Sequence, residues 1–229
     1  MAVAVPAFTA AVFDMDGLLL DSERPVRDAW LGAAVAGGIA LSEADYLTLV
    51  GLNHRDADAR LLAIFGAAAL RRARDHVGAA LAAAAPFAAR PGAQRLLRAL
   101  HAAAIPCAVA SSTHHAEVRF RLEGAGLLDF FGVTCGGDEV AHGKPAPDLY
   151  RLALARLGVA ASDAMAFEDS GPGVRAALAA GLATVAVPDL KPPEPDWLAR
   201  CHAVFPSLDA ALDPARGWFG LQAGDERIP

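Results

Sequence analysis

Cysteine is scarce in this sequence, and the few cysteines are far apart. The 229 residues include three cysteines, none of which forms a CxxC pair. An odd number of isolated cysteines argues against a disulfide framework and a zinc site, and it suits a reducing compartment. We therefore expect a cytoplasmic protein that is stabilised by packing, since a chain of this length can bury a large core without cross-links.

Clustered positive charge and long hydrophobic runs are also missing. The chain has 2 lysines and a net charge of −6, whereas proteins that bind nucleic acid carry clustered Lys and Arg. No apolar stretch approaches the ~20 residues of a membrane helix, and the N-terminal segment lacks the basic start of a signal sequence. We expect a soluble protein that binds neither nucleic acid nor membranes, either a monomer or a homodimer.

The sequence does contain short apolar runs that alternate with helical patterns. Each run is long enough for a buried strand and too short for a helix, and the runs span 10–14, 105–112, 132–137, 163–169 and 182–189. The helical patterns between them span 91–104, 115–126, 146–158 and 171–181. This alternation predicts an α/β fold in which helices cover both faces of a parallel sheet.

One region interrupts the alternation. Between about residues 20 and 85 every pattern is helical, and no strand candidate appears. The simplest explanation is a helical subdomain inserted after the first strand. We predict an α/β core formed by 1–18 and 86–229, and a small all-helical cap domain formed by 19–85.

Four of the segments that alternate in this way end at polar side chains. In chain order, these side chains are Asp14 and Asp16, Ser111, Lys144, and Glu168 and Asp169. A single DxD pair is more often a surface turn than a catalytic site. The carboxyl ends of parallel strands, however, meet at the edge where open α/β sheets bind their ligands. We therefore expect these six side chains to lie close together.

The charges of these side chains indicate what they bind. Four carboxylates and one ammonium carry a net charge of −3 when all are ionised, and such a cluster either takes up protons or binds a cation. Ligands that are all oxygen favour Mg²⁺. A cation, an ammonium and a hydroxyl together suit a dianionic phosphoryl group. A protonated Asp16 would then serve as a general acid for the leaving alkoxide.

The order of these motifs resembles the haloacid dehalogenase-like hydrolase superfamily. The chain reads DMDGLLLDSE from residue 14, VASS from 109, GKPAPD from 143 and FEDSGPGVRAALAAG from 167. The resemblance covers essentially the whole chain and is strongest to the helical-cap branch, which includes β-phosphoglucomutase and sugar-phosphate phosphatases. It implies a Rossmann-like parallel sheet flanked by helices, an inserted cap, and Mg²⁺-dependent hydrolysis of a small phosphorylated substrate, of the sugar or polyol type.

The resemblance also implies catalytic roles for four residues. Asp14 is expected to be the nucleophile that becomes an aspartyl phosphate, and Asp16 the general acid and base. Ser111 and Lys144 are expected to hold the phosphoryl oxygens, with Lys144 also countering the charge of Asp14. The covalent route divides a very slow hydrolysis into two easier displacements.

Metal and substrate contacts follow from the same resemblance. Mg²⁺ is expected to be held by Asp14, the carbonyl of Asp16 and Asp169, with Glu168 supporting it from the same turn. The residues expected to bind substrate are Gly17, Asn53, His54, Arg55 and Ser112, and further candidates in the cap are Glu23, Arg24 and Trp30. Several residues beside the motifs also fit helix caps; they are Ser112 and Thr113, before a helix at 114, and Asp21 and Ser22, before the first cap helix.

Other members of this superfamily can be weighed against a phosphatase. Asp16 excludes the haloacid dehalogenases, which lack an acid at this position, and the absence of lysine from 20–85 excludes phosphonoacetaldehyde hydrolases. A mutase like β-phosphoglucomutase stays open, but Ala57 stands where its cap carries a serine. A non-catalytic phospho-ligand sensor is a second alternative, although such a protein usually loses Asp14, Asp16 or Asp169.

Overall fold

The computed structural model describes residues 7–50, 52 and 54–222, and of His54 only its place in a helix. The strands are β1 (Ala10–Phe13), β2 (Cys107–Ala110), β3 (Val133–Cys135), β4 (Ala164–Glu168), β5 (Ala183–Ala186) and β6 (Ala203–Val204). The helices are α1 (Glu23–Ala36), α2 (Glu43–Leu47), α3 (His54–Phe65), α4 (Ala67–Ala83), α5 (Ala93–Ala102), α6 (His115–Gly124), α7 (Asp148–Leu157), α8 (Gly171–Ala179), α9 (Pro195–Leu198) and α10 (Leu208–Phe219).

The six strands form one parallel sheet in the order β3-β2-β1-β4-β5-β6. In the central strand, Val12 is in register with Ala108 of β2 and with Ala166 of β4. The order reverses direction at β1, and ligands bind outside the carboxyl ends at such a reversal in open α/β sheets. The predicted fold class is therefore confirmed, with β6 as an additional, two-residue strand at one edge.

Both faces of the sheet are covered by helices, as the fully apolar strands predict. On one face Phe13 and Phe167 stack with ring centroids 4.8 Å apart and pack with leucines of α5 and α10. On the other face Val12 and small alanines pack against α7 and α8, including Leu149 and Tyr150. This burial of both faces explains why the strands read as continuous apolar runs.

The segment between β1 and α5 forms α1 to α4 and has its own apolar cluster. Tyr46, Leu61 and Leu70 are buried in it, and the rings of Trp30 and Phe65 meet edge to face at 5.7 Å. The helical character of this insert agrees with the sequence pattern, while domain boundaries at 18 and 86 stay a prediction. In the described part of the chain, no helix combines the length and the apolar character needed to cross a bilayer.

Candidate active site

The carboxyl end of the sheet brings the predicted motif residues around one cavity. Asp14 directly follows β1, Ser111 follows β2, and Glu168 is the last residue of β4. Since β1 lies between β2 and β4, these three strand ends are neighbours. The cavity has a volume of about 300 Å³, and the residues of the core motifs that line it are Asp14, Asp16, Ser111, Ser112, Lys144 and Asp169.

Lys144 is the buried cation of the site. Its ammonium donates hydrogen bonds to Oδ1 of Asp14 and to Oε1 of Glu168 at 2.6 Å, and only 4 % of the residue is exposed. Burial alone would lower the pKa of Lys144, but the Asp14 and Glu168 carboxylates outweigh it, so the net shift is upward. Lys144 therefore carries its charge at neutral pH.

Glu168 is fully buried and holds this part of the site in place. Its Oε1 accepts hydrogen bonds from Lys144 and from the Tyr150 hydroxyl at 2.7 Å. Its Oε2 accepts bonds from the Asp169 amide, the Ser170 amide and the Ser170 hydroxyl at 3.1–3.3 Å. Five donors thus occupy both carboxylate oxygens, which leaves Glu168 little capacity for a further ligand.

Asp14, Glu168 and Asp169 form a compact acidic cluster. One carboxylate oxygen of each lies within 4.8 Å of the others. Burial raises the pKa of Asp14 to about 8, outweighing the lowering effect of Lys144, and the charge of Glu168 adds to the rise. Burial and the charge of Asp14 likewise raise the pKa of Asp169. The oxygens of Asp14 and Asp169 suit a hard divalent cation, which would relieve the repulsion within the cluster.

Gly17 brings the turn after Asp16 close to this cluster. Its φ angle is +82°, and a Cβ added there would lie 2.4 Å from Oδ2 of Asp169. The position therefore requires glycine both for its backbone conformation and for the space beside Asp169.

Asp16 accepts hydrogen bonds from four side chains. Its Oδ1 accepts bonds from the Ser22 hydroxyl at 2.7 Å and from Nη1 of Arg121 at 2.8 Å. Its Oδ2 accepts bonds from the Thr113 hydroxyl at 2.8 Å and, more weakly, from the Ser111 hydroxyl at 3.4 Å. The carboxylate is thus held between the start of the insert and the loop that follows β2.

The helix-cap interpretation is wrong for Ser22 and Thr113. Ser22 stands at the N-cap of α1 but makes no side-chain cap bond, because its hydroxyl donates to Asp16. The N-cap of α6 is His114, one residue later than predicted. Asp21 does not cap α1 either, and its carboxylate accepts a hydrogen bond from Arg24 at 2.8 Å. The hydroxyls of Ser22 and Thr113 therefore hydrogen-bond Asp16 in the site and do not cap helices.

Arg121 and Tyr150 contact the site but were not among the predicted residues. Arg121 lies on α6 and lines the cavity, where burial opposes its charge but Asp16 and Glu117 raise its pKa overall. Tyr150 is buried on α7 beneath Glu168. Neither residue belongs to a motif, and the only pattern at Arg121 is an i,i+4 pair with Glu117, which is common on exposed helices.

The insert covers the cavity with largely apolar side chains. Those that line it are Val26, Trp30, Tyr46, Leu49, Val50, Leu52, Ala57 and Leu61. Glu23 adds a carboxyl whose pKa is raised to about 7, by burial first and then by the charges of Asp16 and Asp189. Among the described residues of the insert, no lysine or arginine lines this cavity.

The remaining substrate candidates lie at the edge of the site or outside the described residues. Arg55 is exposed near the start of α3 and lines a second cavity of about 420 Å³, together with Asp56, Ser112 and His142. Asn53 lies outside the described residues, as does the side chain of His54. The proposed substrate roles of these three residues stay predictions.

Comparisons with known proteins agree on one family. A family model described as haloacid dehalogenase-like hydrolase matches residues 8–181. Protein CbbY of Cereibacter sphaeroides is 33% identical over 236 residues, covering 96% of this chain and 98% of that protein. The phosphorylated carbohydrates phosphatase of Thermotoga maritima is 32% identical over 176 residues, covering 76% of this chain and 82% of that protein. The crystal structure of CbbY from Rhodobacter sphaeroides in complex with phosphate has a TM-score of 0.75 at 30% identity, covering 90% of this chain and 99% of that chain.

Proposed function

The chain belongs to the haloacid dehalogenase-like hydrolase family and is a phosphatase, and on that basis we propose that it is Mg²⁺-dependent and hydrolyses a small sugar or polyol phosphate through an aspartyl phosphate. The observation that carries the proposal is the contact of the Lys144 ammonium with Asp14 and Glu168 at adjoining strand ends, beside Asp169. The name of the Thermotoga relative supports a carbohydrate phosphate as the substrate.

In the first step, a carboxylate oxygen of Asp14 attacks phosphorus, and the bond from phosphorus to the ester oxygen of the substrate breaks. Lys144 and the Ser111 hydroxyl hold the phosphoryl oxygens and offset their charge. Protonated Asp16 gives its proton to the departing oxygen, so that an alcohol leaves rather than an alkoxide. The products of this step are the free alcohol and the phosphorylated Asp14.

In the second step, water attacks the phosphorus of the aspartyl phosphate. Asp16, now a carboxylate, takes a proton from that water, and the bond between phosphorus and the Asp14 oxygen breaks. Inorganic phosphate leaves, and both aspartates return to their starting protonation states. The same carboxyl thus serves as acid and then as base.

Asp14 and Asp169 are the side chains that would hold Mg²⁺, with the Asp16 carbonyl as a further ligand that the family resemblance implies. The bound cation would neutralise the carboxylates and polarise the phosphoryl group. Glu168, whose oxygens already accept five hydrogen bonds, would fix Lys144 and the Asp169 turn instead of contacting the cation. The expectation that Glu168 supports the metal from the same turn stays a prediction.

Hydrolysis is favoured over a mutase reaction by the lining of the cavity. A mutase must hold a second phosphate, which requires cationic or hydroxyl groups opposite the nucleophile. The insert supplies mainly apolar side chains there, and Ala57 is among them. A phospho-ligand sensor is disfavoured because Asp14, Asp16 and Asp169 are all present at the cavity.

The proposal is tested by phosphate release from glucose 6-phosphate, glycerol phosphate and p-nitrophenyl phosphate, with Mg²⁺ or with EDTA. We expect release with Mg²⁺ and none with EDTA. Asp14→Asn should lower turnover by more than about a hundredfold. Asp129→Asn, which changes an exposed carboxylate far along the chain, should leave turnover unchanged.

Two results would contradict the proposal. Full activity in EDTA would exclude a required cation, and an active Asp14→Asn variant would require another nucleophile. The mutase alternative is tested by ³¹P NMR of the enzyme with Mg²⁺, β-glucose 1-phosphate and a trace of the 1,6-bisphosphate. Glucose 6-phosphate that accumulates well ahead of free phosphate would make the mutase the better assignment.

A further inference from the structure

The Asp16 carboxylate has one charged partner among the described residues, and that partner is Arg121. Its Nη1 donates to Oδ1 of Asp16 at 2.8 Å, although 105 positions separate the two residues in the chain. The other donors to Asp16 are the neutral hydroxyls of Ser22, Thr113 and Ser111. Arg121 is therefore the strongest single determinant of where this carboxylate points.

Arg121 is itself held in one orientation. Its Nε donates to the Glu117 carboxylate one turn earlier in α6, at 2.9 Å. Its guanidinium carbon lies 5.2 Å from the centroid of the Phe87 ring, which faces it from the segment that returns from the insert. The side chain is 17 % exposed. A guanidinium group that is hydrogen-bonded at one nitrogen and stacked on a ring loses little further conformational freedom when it binds a carboxylate.

The two oxygens of Asp16 have different surroundings. Oδ1 accepts the bonds from Arg121 and Ser22. Oδ2 accepts bonds from Thr113 and Ser111, and Ser111 is the residue to which the proposed function assigns a phosphoryl oxygen. Oδ2 is therefore the oxygen on the phosphoryl side of the carboxylate, and Oδ1 is the anchored one.

We propose that Arg121 is a positioning residue for phosphoryl transfer, which anchors Oδ1 of Asp16 so that Oδ2 exchanges the proton with the leaving group. The inference rests on the proposed role of Asp16 as general acid and base. A mobile carboxylate would spend much of its time out of reach of the ester oxygen, and proton transfer requires hydrogen-bond distance. Arg121 acts through Asp16 and does not itself contact the reacting atoms.

This role predicts a dependence on the leaving group. An alkoxide is a poor leaving group and needs the proton from Asp16, whereas p-nitrophenolate leaves almost without it. The quantity to measure is kcat/KM, since it reports the step that releases the alcohol. In Arg121→Gln we expect kcat/KM for glucose 6-phosphate to fall by roughly 10- to 100-fold, and that for p-nitrophenyl phosphate to fall by less than about threefold.

Three further variants separate positioning from a general structural effect. Arg121→Lys keeps the charge and should recover part of the loss. Arg119→Gln removes the same charge from an exposed position of α6 and should leave kcat/KM unchanged for both substrates. In an Asp16→Asn background, Arg121→Gln should lower kcat/KM for glucose 6-phosphate by less than about a further twofold. The effects of residues that act as one unit are not additive.

Several outcomes would overturn the inference while leaving the proposed function intact. Equal losses of kcat/KM for both substrates would mean that Arg121 has only a structural role. The same conclusion would follow if the losses from Arg121→Gln and Asp16→Asn multiply in the double variant. A rise in KM for glucose 6-phosphate with unchanged kcat would mean that it binds the substrate directly. If Arg121→Gln does not fold, as judged by circular dichroism, the inference is tested with Arg121→Lys, by comparing its losses of kcat/KM for the same two substrates. A wild-type enzyme that releases no phosphate from either substrate would reject the proposed function and this inference with it.

Discussion

Glu23, at the start of α1, carries a carboxyl whose pKa is raised to about 7 in the folded protein, chiefly by burial. Because the folded state holds this proton more tightly than the unfolded chain, Glu23 favours folding most below its ordinary pKa of 4.5. That contribution is lost as the pH rises from about 4.5 to 7, and it stays lost above. At about 1.4 kcal/mol per pKa unit, ionised Glu23 costs on the order of 3 kcal/mol at pH 8.

We therefore expect Glu23→Gln to stabilise the metal-free protein at pH 8 by roughly 3 kcal/mol and to have little effect near pH 4.5. The measurement is urea denaturation in EDTA at several pH values. Glu123→Gln, at an exposed position of α6, serves as the control and should show no such pH-dependent difference. A Glu23→Gln variant that is less stable than the wild type at pH 8 would show that the ionised carboxylate is favourably paired.

Three of the predicted residues that line the cavity directly follow strands, namely Asp14 after β1, Ser111 after β2 and Asp169 after β4, whereas Lys144 lies in the loop between β3 and α7. Asp14 and Asp169 follow buried apolar runs, so the parallel sheet alone brings them together. Arg121 reaches the same cavity from the second half of α6, and its contact depends on how that helix is rotated and packed. A single sequence carries no information on that rotation, since a Glu117–Arg121 pair fits an exposed helix equally well.

At the scale of elements, α8 is built around the Glu168 carboxylate. The Ser170 hydroxyl accepts the Gly173 amide at 3.2 Å and caps the helix. A Cβ on Gly173 would lie 1.9 Å from Oε1 of Glu168. Since Glu168 is fully buried and bonded at both oxygens, it cannot move aside.

We expect Gly173→Ala to destabilise the protein by about 1–3 kcal/mol through overpacking, and to lower kcat by displacing Lys144 from Asp14. Gly78→Ala is the matched control, since Gly78 is exposed inside α4 and an added Cβ would meet nothing within 4 Å. That change should stabilise by about 0.5–1 kcal/mol, the usual gain for Ala in a helix. Thermal denaturation of both variants measures the contrast, and equal effects would contradict the close contact at Gly173.

The elements themselves were predictable to different degrees. Runs such as 10–14 and 163–169 contain β1 and β4 within one residue of each end, because a fully buried strand is a continuous apolar run. The strand β6 was missed, since two residues give no periodicity to detect. The helical pattern 115–126 begins where α6 begins, but the cap residue was misassigned because Thr113 has the chemistry of a cap, whereas its hydroxyl bonds Asp16.

At the scale of the whole molecule, two segments connect the insert to the core, one leaving the core near Asp21 and one returning to it near Ala88. The Asp21 amide donates to the Ala88 carbonyl at 2.9 Å, so the outgoing and returning segments pair. Asp189, in the loop after β5, joins them both by ion pairs to Arg24 at 2.9 Å and to Arg90 at 2.6 Å. The alternation of patterns predicted the insert, but contacts between such distant positions leave no mark in one sequence.

The metal binding proposed for the acidic cluster would depend on the whole fold, because Asp14 and Asp169 follow different strands. Their raised pKa values, about 8 for Asp14, mean that the metal-free cluster retains protons at neutral pH. A cation binds the ionised carboxylates and must displace those protons, so its affinity should rise with pH. The stabilisation it gives to the folded state should follow the same course.

We therefore expect Mg²⁺ to raise the melting temperature more at pH 8.5 than at pH 6. At a Mg²⁺ concentration of a hundred times the Kd, binding adds about 2.7 kcal/mol to the free energy of unfolding. For a chain of this size, this corresponds to a rise in melting temperature of roughly 5–10 °C. Thermal denaturation with Mg²⁺ or EDTA at the two pH values measures the difference. Asp169→Asn should abolish the shift because it removes one ligand, whereas Asp129→Asn should retain it. A shift that is equal at both pH values, or that survives in Asp169→Asn, would place the cation outside this cluster.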